Sequence, residues 1–412
     1  GSQMSRIFQT IGANPNNLGW FFLLPPLAGL IVQPIIGYYS DRTWAPKLGG
    51  RRLPYLLIGM VIAVIVMILL PNSGSFGFGY GSLAALWFGA ITVAFLDLSS
   101  NMAMQPFKMM VGDMVNDDQK SYAYGIQSLI CNTGAVLAAI FPFLLTWWGV
   151  SNTAKKGVVP QSVVISFYVG AVILVITCLF TIFRVHEYDP ATYARYHGIS
   201  EEDNKKGGNW FTLLKHAPRV FWNVALVQFF CWFSFQYLST YAVGAIAKNV
   251  WLTTDASSAA YQAAGNWYGV MTAVQSIAAV VWSYVLAKVP NNHHKAGYAF
   301  SLLLGAIGYT SIFFIHSQNA LIFSFVLIGI AWASMNTYPL TMVTNALSGK
   351  HMGTYLGLFN GSICVPQMVA SLLSFGLFPL LGSSQVNMML VTGISALLGA
   401  ISVLFIKETY QA

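Results

Sequence analysis

Eleven apolar runs divide this sequence, at residues 18–39, 54–70, 83–109, 121–148, 162–183, 220–244, 261–287, 296–315, 320–345, 353–381 and 386–406. Each is close to the ~20 residues that a helix needs to cross a bilayer. Residues 1–12 are too short to span. Ser5-Arg6-Ile7-Phe8-Gln9-Thr10-Ile11-Gly12 reads as the outer end of a further helix whose beginning is missing from this chain. The expectation is an all-α polytopic membrane protein of 12 transmembrane helices, the first largely missing. Only 8% of the residues are charged, against about 25% in soluble domains. That excludes a soluble enzyme, and no nucleophile–base pair or metal-ligand spacing appears.

The connecting loops alternate in charge. Those around Asp41–Arg52, Lys108–Lys120, Arg184–Arg219, Lys288–Lys295, Lys350 and Lys407 hold 16 of the 20 Lys and Arg, and the opposite loops hold Arg6, Lys155, Lys156 and Lys248. By the positive-inside rule the Lys-rich side is cytoplasmic, and the C-terminus with it. The net charge of +8 is thereby topological and gives no reason to expect nucleic acid. The one long polar stretch separates an N-terminal bundle at 1–184 from a C-terminal bundle at 219–412, with a cytoplasmic linker at 185–218. The halves echo each other at an offset of about 232 residues: Gln105-Pro106 answers Tyr338-Pro339, and Lys120 to Ile126 resembles Lys350 to Leu358. Two parallel repeats are expected to show such self-similarity.

Eleven of the twelve carboxylates fall in predicted loops or termini, and Asp97 sits inside a predicted span. A charge at the bilayer centre costs about 2.5–3.5 kcal/mol or more. Asn101 and Gln105 follow at i+4 and i+8, so the three polar groups share one helical face. Lipid cannot satisfy that stripe, so it should line a cavity inside the bundle. The nearest cation in sequence, Lys108, lies eleven residues on, about 16 Å along a helix. An unpaired buried carboxylate can be neutral near pH 7 and can take and release a proton as its access changes. Asp97 is thus read as a proton switch, or else as a protonated structural residue bonded to a neighbouring helix. No cofactor is expected; the coupling ion is a proton, with sodium the second choice.

The seventh span carries Gln228, Trp232 and Gln236 at intervals of four. An indole beside amides suits a sugar ring, whose C–H faces stack on the aromatic while its hydroxyls pair with the amides. An aromatic packing helix would look the same. Ser128 and Asn132 on the fifth helix, Trp267, Met271 and Gln275 on the eighth, Trp332 and Asn336 on the tenth, and Asn360, Cys364 and Gln367 on the eleventh repeat the theme. Singly, each reads as an interhelical hydrogen bond; together they outline a cavity rich in amides and indoles and poor in charge. Such a cavity suits a neutral polyol, not a phosphate or carboxylate that would want Arg. The cysteines, Cys131, Cys178, Cys231 and Cys364, all lie in spans and read as small buried apolar residues.

Between the second and third spans lies Gly37…Asp41-Arg42, then Gly49-Gly50-Arg51-Arg52-Leu53-Pro54. Asp41 with Arg42, Arg51 and Arg52 can form a cytoplasmic gate that latches the two halves; a plain positive-inside turn is the other reading. These residues, with Leu96-Asp97-Leu98-Ser99-Ser100-Asn101, Gln105-Pro106, Asp113, Gln228 to Phe233, Gly329 to Ser334, Asn345, Met352-Gly353, Asn360 and Pro366-Gln367, resemble the sucrose–proton symporter group of the major facilitator superfamily. That group is itself related to the glycoside–pentoside–hexuronide cation symporters.

The resemblance runs over nearly the whole chain. It implies two six-helix bundles, alternating access, a monomer in a bacterial inner membrane, and proton-coupled uptake of a neutral disaccharide such as sucrose or maltose. It also implies a proton-carrying carboxylate on the fourth helix, at Asp97. Lys108 stands where the plant members carry Arg. A proton-coupled exporter of amphipathic molecules and an uncoupled sugar facilitator are the alternatives, with a transporter-like sensor as a third.

Overall fold

The computed structural model describes residues 4–10, 12–75, 82–114, 117–155, 158–189, 192, 214–286, 288–290, 293–346 and 358–407. Among them are twelve α-helices: α1 (Met4–Thr10), α2 (Leu18–Arg42), α3 (Leu53–Leu69), α4 (Leu83–Met114), α5 (Asp117–Trp147), α6 (Gln161–Arg184), α7 (Arg219–Trp251), α8 (Ala259–Leu286), α9 (His294–Phe314), α10 (Leu321–Ala346), α11 (Gly361–Leu380) and α12 (Gln385–Ser402). Eight of these are long and apolar enough to cross a membrane. The 33-residue α7 is not one of them; its amides, serines and aromatics dilute the apolar run. The helices pack in two sets, α2 on α4, α4 on α3 and α3 on α6 in the first, and α7 on α12, α12 on α9 and α9 on α10 in the second. The sets meet through α2–α11, α5–α8 and α1–α7.

Close approach of helices without a water-driven hydrophobic effect needs small residues. Gly59 on α3 meets that need, since a Cβ there would lie 3.0 Å from both the Ala103 Cβ and the Ser99 carbonyl of α4. Ser99 points its hydroxyl back to the Leu96 carbonyl, 2.9 Å away, so no polar group faces lipid at the contact. The long apolar side chains turn outward: Ile58, Ile65, Trp87, Ile91 and Phe95 are exposed on the outer faces of α3 and α4.

Three sequence expectations need correction. Asp41 and Arg42 are not in a turn; they form the last residues of α2, because nothing before Thr43 breaks the helix. The stretch from Lys108 to Lys120 is not a loop, since α4 runs to Met114 and α5 opens at Asp117. Charged residues continue a helix readily once it has left the hydrocarbon. Cys131 is exposed on α5, whereas Cys178, Cys231 and Cys364 are buried, and all four are free thiols.

Candidate transport site and gates

Asp97 sits half-buried on α4 and Asn101 is buried one turn below it. The Asn101 amide donates to the Asp97 carboxylate at 2.8 Å and to the Asp97 backbone carbonyl at 2.9 Å. Among the described residues no Lys, Arg or His pairs with this carboxylate; an ion pair is formed elsewhere, between Arg51 and Glu187. Two further helices close on Asn101. A Cβ on Gly29 of α2 would lie 3.5 Å from the Asn101 amide nitrogen and 3.7 Å from the Cys364 sulfur of α11. Asn360, a turn before Cys364, points its amide at that sulfur from 3.8 Å. The polar stripe of the first half therefore meets Asn360 and Cys364 of the second.

A second group joins α7 and α10. The Trp232, Phe235 and Trp332 rings pack together, with centroids 5.6 Å apart for Trp232 to Phe235 and to Trp332, and 4.6 Å for Phe235 to Trp332. The Gln228 amide nitrogen donates to the Met335 carbonyl at 3.2 Å. That leaves the Gln228 Oε1 acceptor and the Trp232 Nε1 donor buried without a hydrogen-bond partner among the described residues. Burying such groups unpaired costs about 1–3 kcal/mol each. Both atoms are covered by protein in this conformation.

The other sequence candidates divide. Gln236 is committed to packing: its amide donates to the Phe22 carbonyl and the Ser371 hydroxyl, both at 3.0 Å. Trp267 likewise donates to the Gln318 carbonyl in the α9–α10 connection at 3.0 Å. Gln275 is buried, Gln367 half-buried and Asn336 exposed; the Asn336 amide donates to the Trp332 carbonyl at 2.7 Å, on the same helical turn as the aromatic group. The backbones of Gln105, Ser128, Asn132, Asp41 and Arg42 are helical, and their side chains lie outside the described residues.

At the Lys-rich end, the acid that meets Arg51 is Glu187. Its carboxylate lies 4.0 Å from the Arg51 Nε and accepts from the backbone N–H groups of Arg52 at 2.8 Å and Leu53 at 3.1 Å. These are the first N–H groups of α3, where a helix offers unsatisfied donors and partial positive charge. The Glu187 N–H donates to the Gly49 carbonyl at 2.9 Å, so the start of the linker is strapped across the α2–α3 turn. Gly49 has φ +66°, a conformation glycine adopts without steric cost. A Cβ on Gly50 would collide with the Glu187 carboxylate. Sequence reading set Glu187 aside as a linker carboxylate; a buried cap from 134 residues away leaves no local pattern. Glu187→Ala removes the acceptor for two N–H groups and should cost about 1–3 kcal/mol, seen as a lowered thermal midpoint of the purified protein. An unchanged midpoint would show that the strap does not support the fold.

At the Lys-poor end the halves are joined directly. Gln9 and Gln385 pair at 2.9 Å, the Ser5 hydroxyl donates to the Thr240 carbonyl at 2.7 Å, and Asn266 donates to Thr146 at 2.9 Å. Arg6 joins the same seam. The apolar core runs through it, with Ile7, Phe8, Leu18, Phe21 and Phe22 buried against Tyr237, Tyr241 and Phe378. Among the described residues, then, the interface is sealed at one end of the bundle.

Known proteins bear on this architecture at two levels. Sucrose transport protein SUC4 of Arabidopsis thaliana is 23% identical over 85% of this chain and 75% of its own length. Sucrose transport protein SUT5 of Oryza sativa subsp. indica is 23% identical over 90% and 77%. In solved structures the fold superposes on the nucleoside transporter NupG with a TM-score of 0.70 at 12% identity, covering 98% of this chain and 93% of that one. It superposes on a D-xylose-proton symporter with a TM-score of 0.69 at 14% identity, covering 98% and 91%. Two helix sets that meet through α2–α11 and α5–α8 agree with a profile match over residues 3–371, and the chain belongs to the Major Facilitator Superfamily.

Proposed function

We propose that this carrier takes up a neutral sugar together with a proton, the sugar being a disaccharide such as sucrose or maltose. The observation that carries the reading is the pairing of Asp97 with a neutral amide at membrane depth. Among the described residues no Lys, Arg or His pairs with the carboxylate, so a proton can bind it and remove the cost of holding a charge in a low-dielectric site. The identity of the curated relatives as sucrose transport proteins supports a sugar cargo. So do the unpartnered donor and acceptor beside Trp232 and Trp332.

In the proposed cycle the Lys-poor end faces outward and the Lys-rich end, with the C-terminus, faces the cytoplasm of a bacterial cell. Outward opening breaks the seam at Ser5, Gln9 and Thr146. Asp97 then takes a proton. The sugar stacks on Trp232 and Trp332, and one of its hydroxyls donates to Gln228 while another accepts from Trp232. The loaded, neutralised halves rock, the cytoplasmic gate of Asp41, Arg42, Arg51 and Arg52 releases, and sugar and proton leave inward. Inward movement of one charge down the membrane potential contributes about 2.3 kcal/mol per 100 mV. The test of the cargo is competition: unlabelled sucrose or maltose should block uptake of labelled sucrose into cells expressing the chain. Uptake of an amphipathic dye-like compound, unaffected by disaccharides, would replace the sugar with the exporter class of substrate.

A further inference from the structure

Arg6 is the largest fully buried side chain of the described residues, at 1% exposure. It belongs to α1 of the first half, and its fork reaches two residues of α8 in the second. Nε donates to the Gln262 Oε1 at 2.6 Å and Nη1 to the Asn266 Oδ1 at 2.6 Å. Nη2 donates to the Asn152 Oδ1, on the α5–α6 connection, at 2.7 Å. Each partner is itself held. Gln262 donates to the Thr10 hydroxyl at 3.0 Å and to the Ala256 carbonyl at 2.6 Å. Asn266 donates to Thr146 at 2.9 Å, and Asn152 also accepts from Ser162 at 2.9 Å. Gly265, between the two amide residues, gives the arm its passage, since a Cβ there would lie 2.7 Å from the Arg6 Cδ.

We propose that Arg6 is the clasp of the outward gate, a positioning residue that sets how often this carrier opens to the outside. The inference rests on the alternating-access reading above, and adds to it a named latch with a stated chemistry. Hydrogen bonds from a charged guanidinium are about twice as strong as neutral ones, and the planar fork engages several acceptors at once. The three acceptors seen among the described residues are neutral amides, which hold a cation less firmly than carboxylates would. That balance suits a contact that must form and break in every cycle. A carboxylate in place of Gln262 or Asn266 would make the clasp harder to open.

Cys364 provides the reporter, because it is buried between α2 and α11 below the sealed seam. In a variant with Cys131, Cys178 and Cys231 replaced by Ser, a membrane-impermeant maleimide added outside intact cells should modify Cys364 slowly. Arg6→Met should raise that rate by roughly tenfold or more, and Arg6→Lys, which keeps charge without the fork, by less. Gln262→Glu should lower it below the starting rate and slow uptake. Arg6→Met with an unchanged rate, in protein that still elutes as a single folded species, would overturn the proposal. So would Gln262→Glu with an unchanged or faster rate. The readout is conformation and needs no cargo, so a failure to transport any sugar would count against the proposed function and leave the clasp test standing.

Discussion

Asp97→Asn should abolish sugar accumulation while leaving sugar exchange intact. Asparagine keeps the size of the side chain and can still bond to Asn101, but it neither takes nor releases a proton. The variant resembles a carrier permanently in its neutralised form, free to rock when loaded. A proton entering with each sugar draws on about 2.3 kcal/mol per 100 mV of membrane potential, which sustains roughly a fiftyfold gradient at that potential. In the variant the gradient should fall to unity, while counterflow of labelled against unlabelled sugar proceeds near the original rate. Accumulation that survives in the variant would assign the proton to another group and leave Asp97 a structural partner of Asn101.

The second large effect is expected at Trp232. Truncation to Ala removes the stacking face and the unpartnered Nε1 donor, and it loosens Phe235 and Trp332. A residue that anchors a ligand in a desolvated site is worth about 2 kcal/mol or more, so the KM for the sugar should rise roughly thirtyfold. Trp232→Phe keeps a ring without the N–H and should fall between, which separates the lost hydrogen bond from the lost packing. Equal KM values in all three proteins would remove the α7–α10 group from the binding site.

How far this was legible in the sequence depends on the range over which each signal acts. The apolar runs are local, so the helices could be placed to within a few residues; α7 continues seven residues past the expected 244 to Trp251 because nothing polar enough interrupts it. The Asp97–Asn101 pair was legible too, since both lie on one helix at i and i+4. Of the α7 stripe, helical spacing gave the shared face but could not say which amide is already spent. The Gln228 oxygen has no hydrogen-bond partner among the described residues, while Gln236 is used up on Phe22 and Ser371. The long-range partners of Arg6 and Glu187 escaped the reading. Arg6 meets Gln262 across 256 residues and Glu187 meets Arg52 across 135, and no spacing rule connects residues so far apart. The one available clue was chemical: an Arg in an apolar helix end needs partners.

The central claim, proton and sugar moving together, is tested most directly by the external pH of de-energised proteoliposomes when sucrose, maltose or trehalose is added. Symport predicts a rise in external pH with one of the sugars, absent in Asp97→Asn. A sugar that exchanges across the membrane with no pH change would contradict the claim and make this carrier a facilitator.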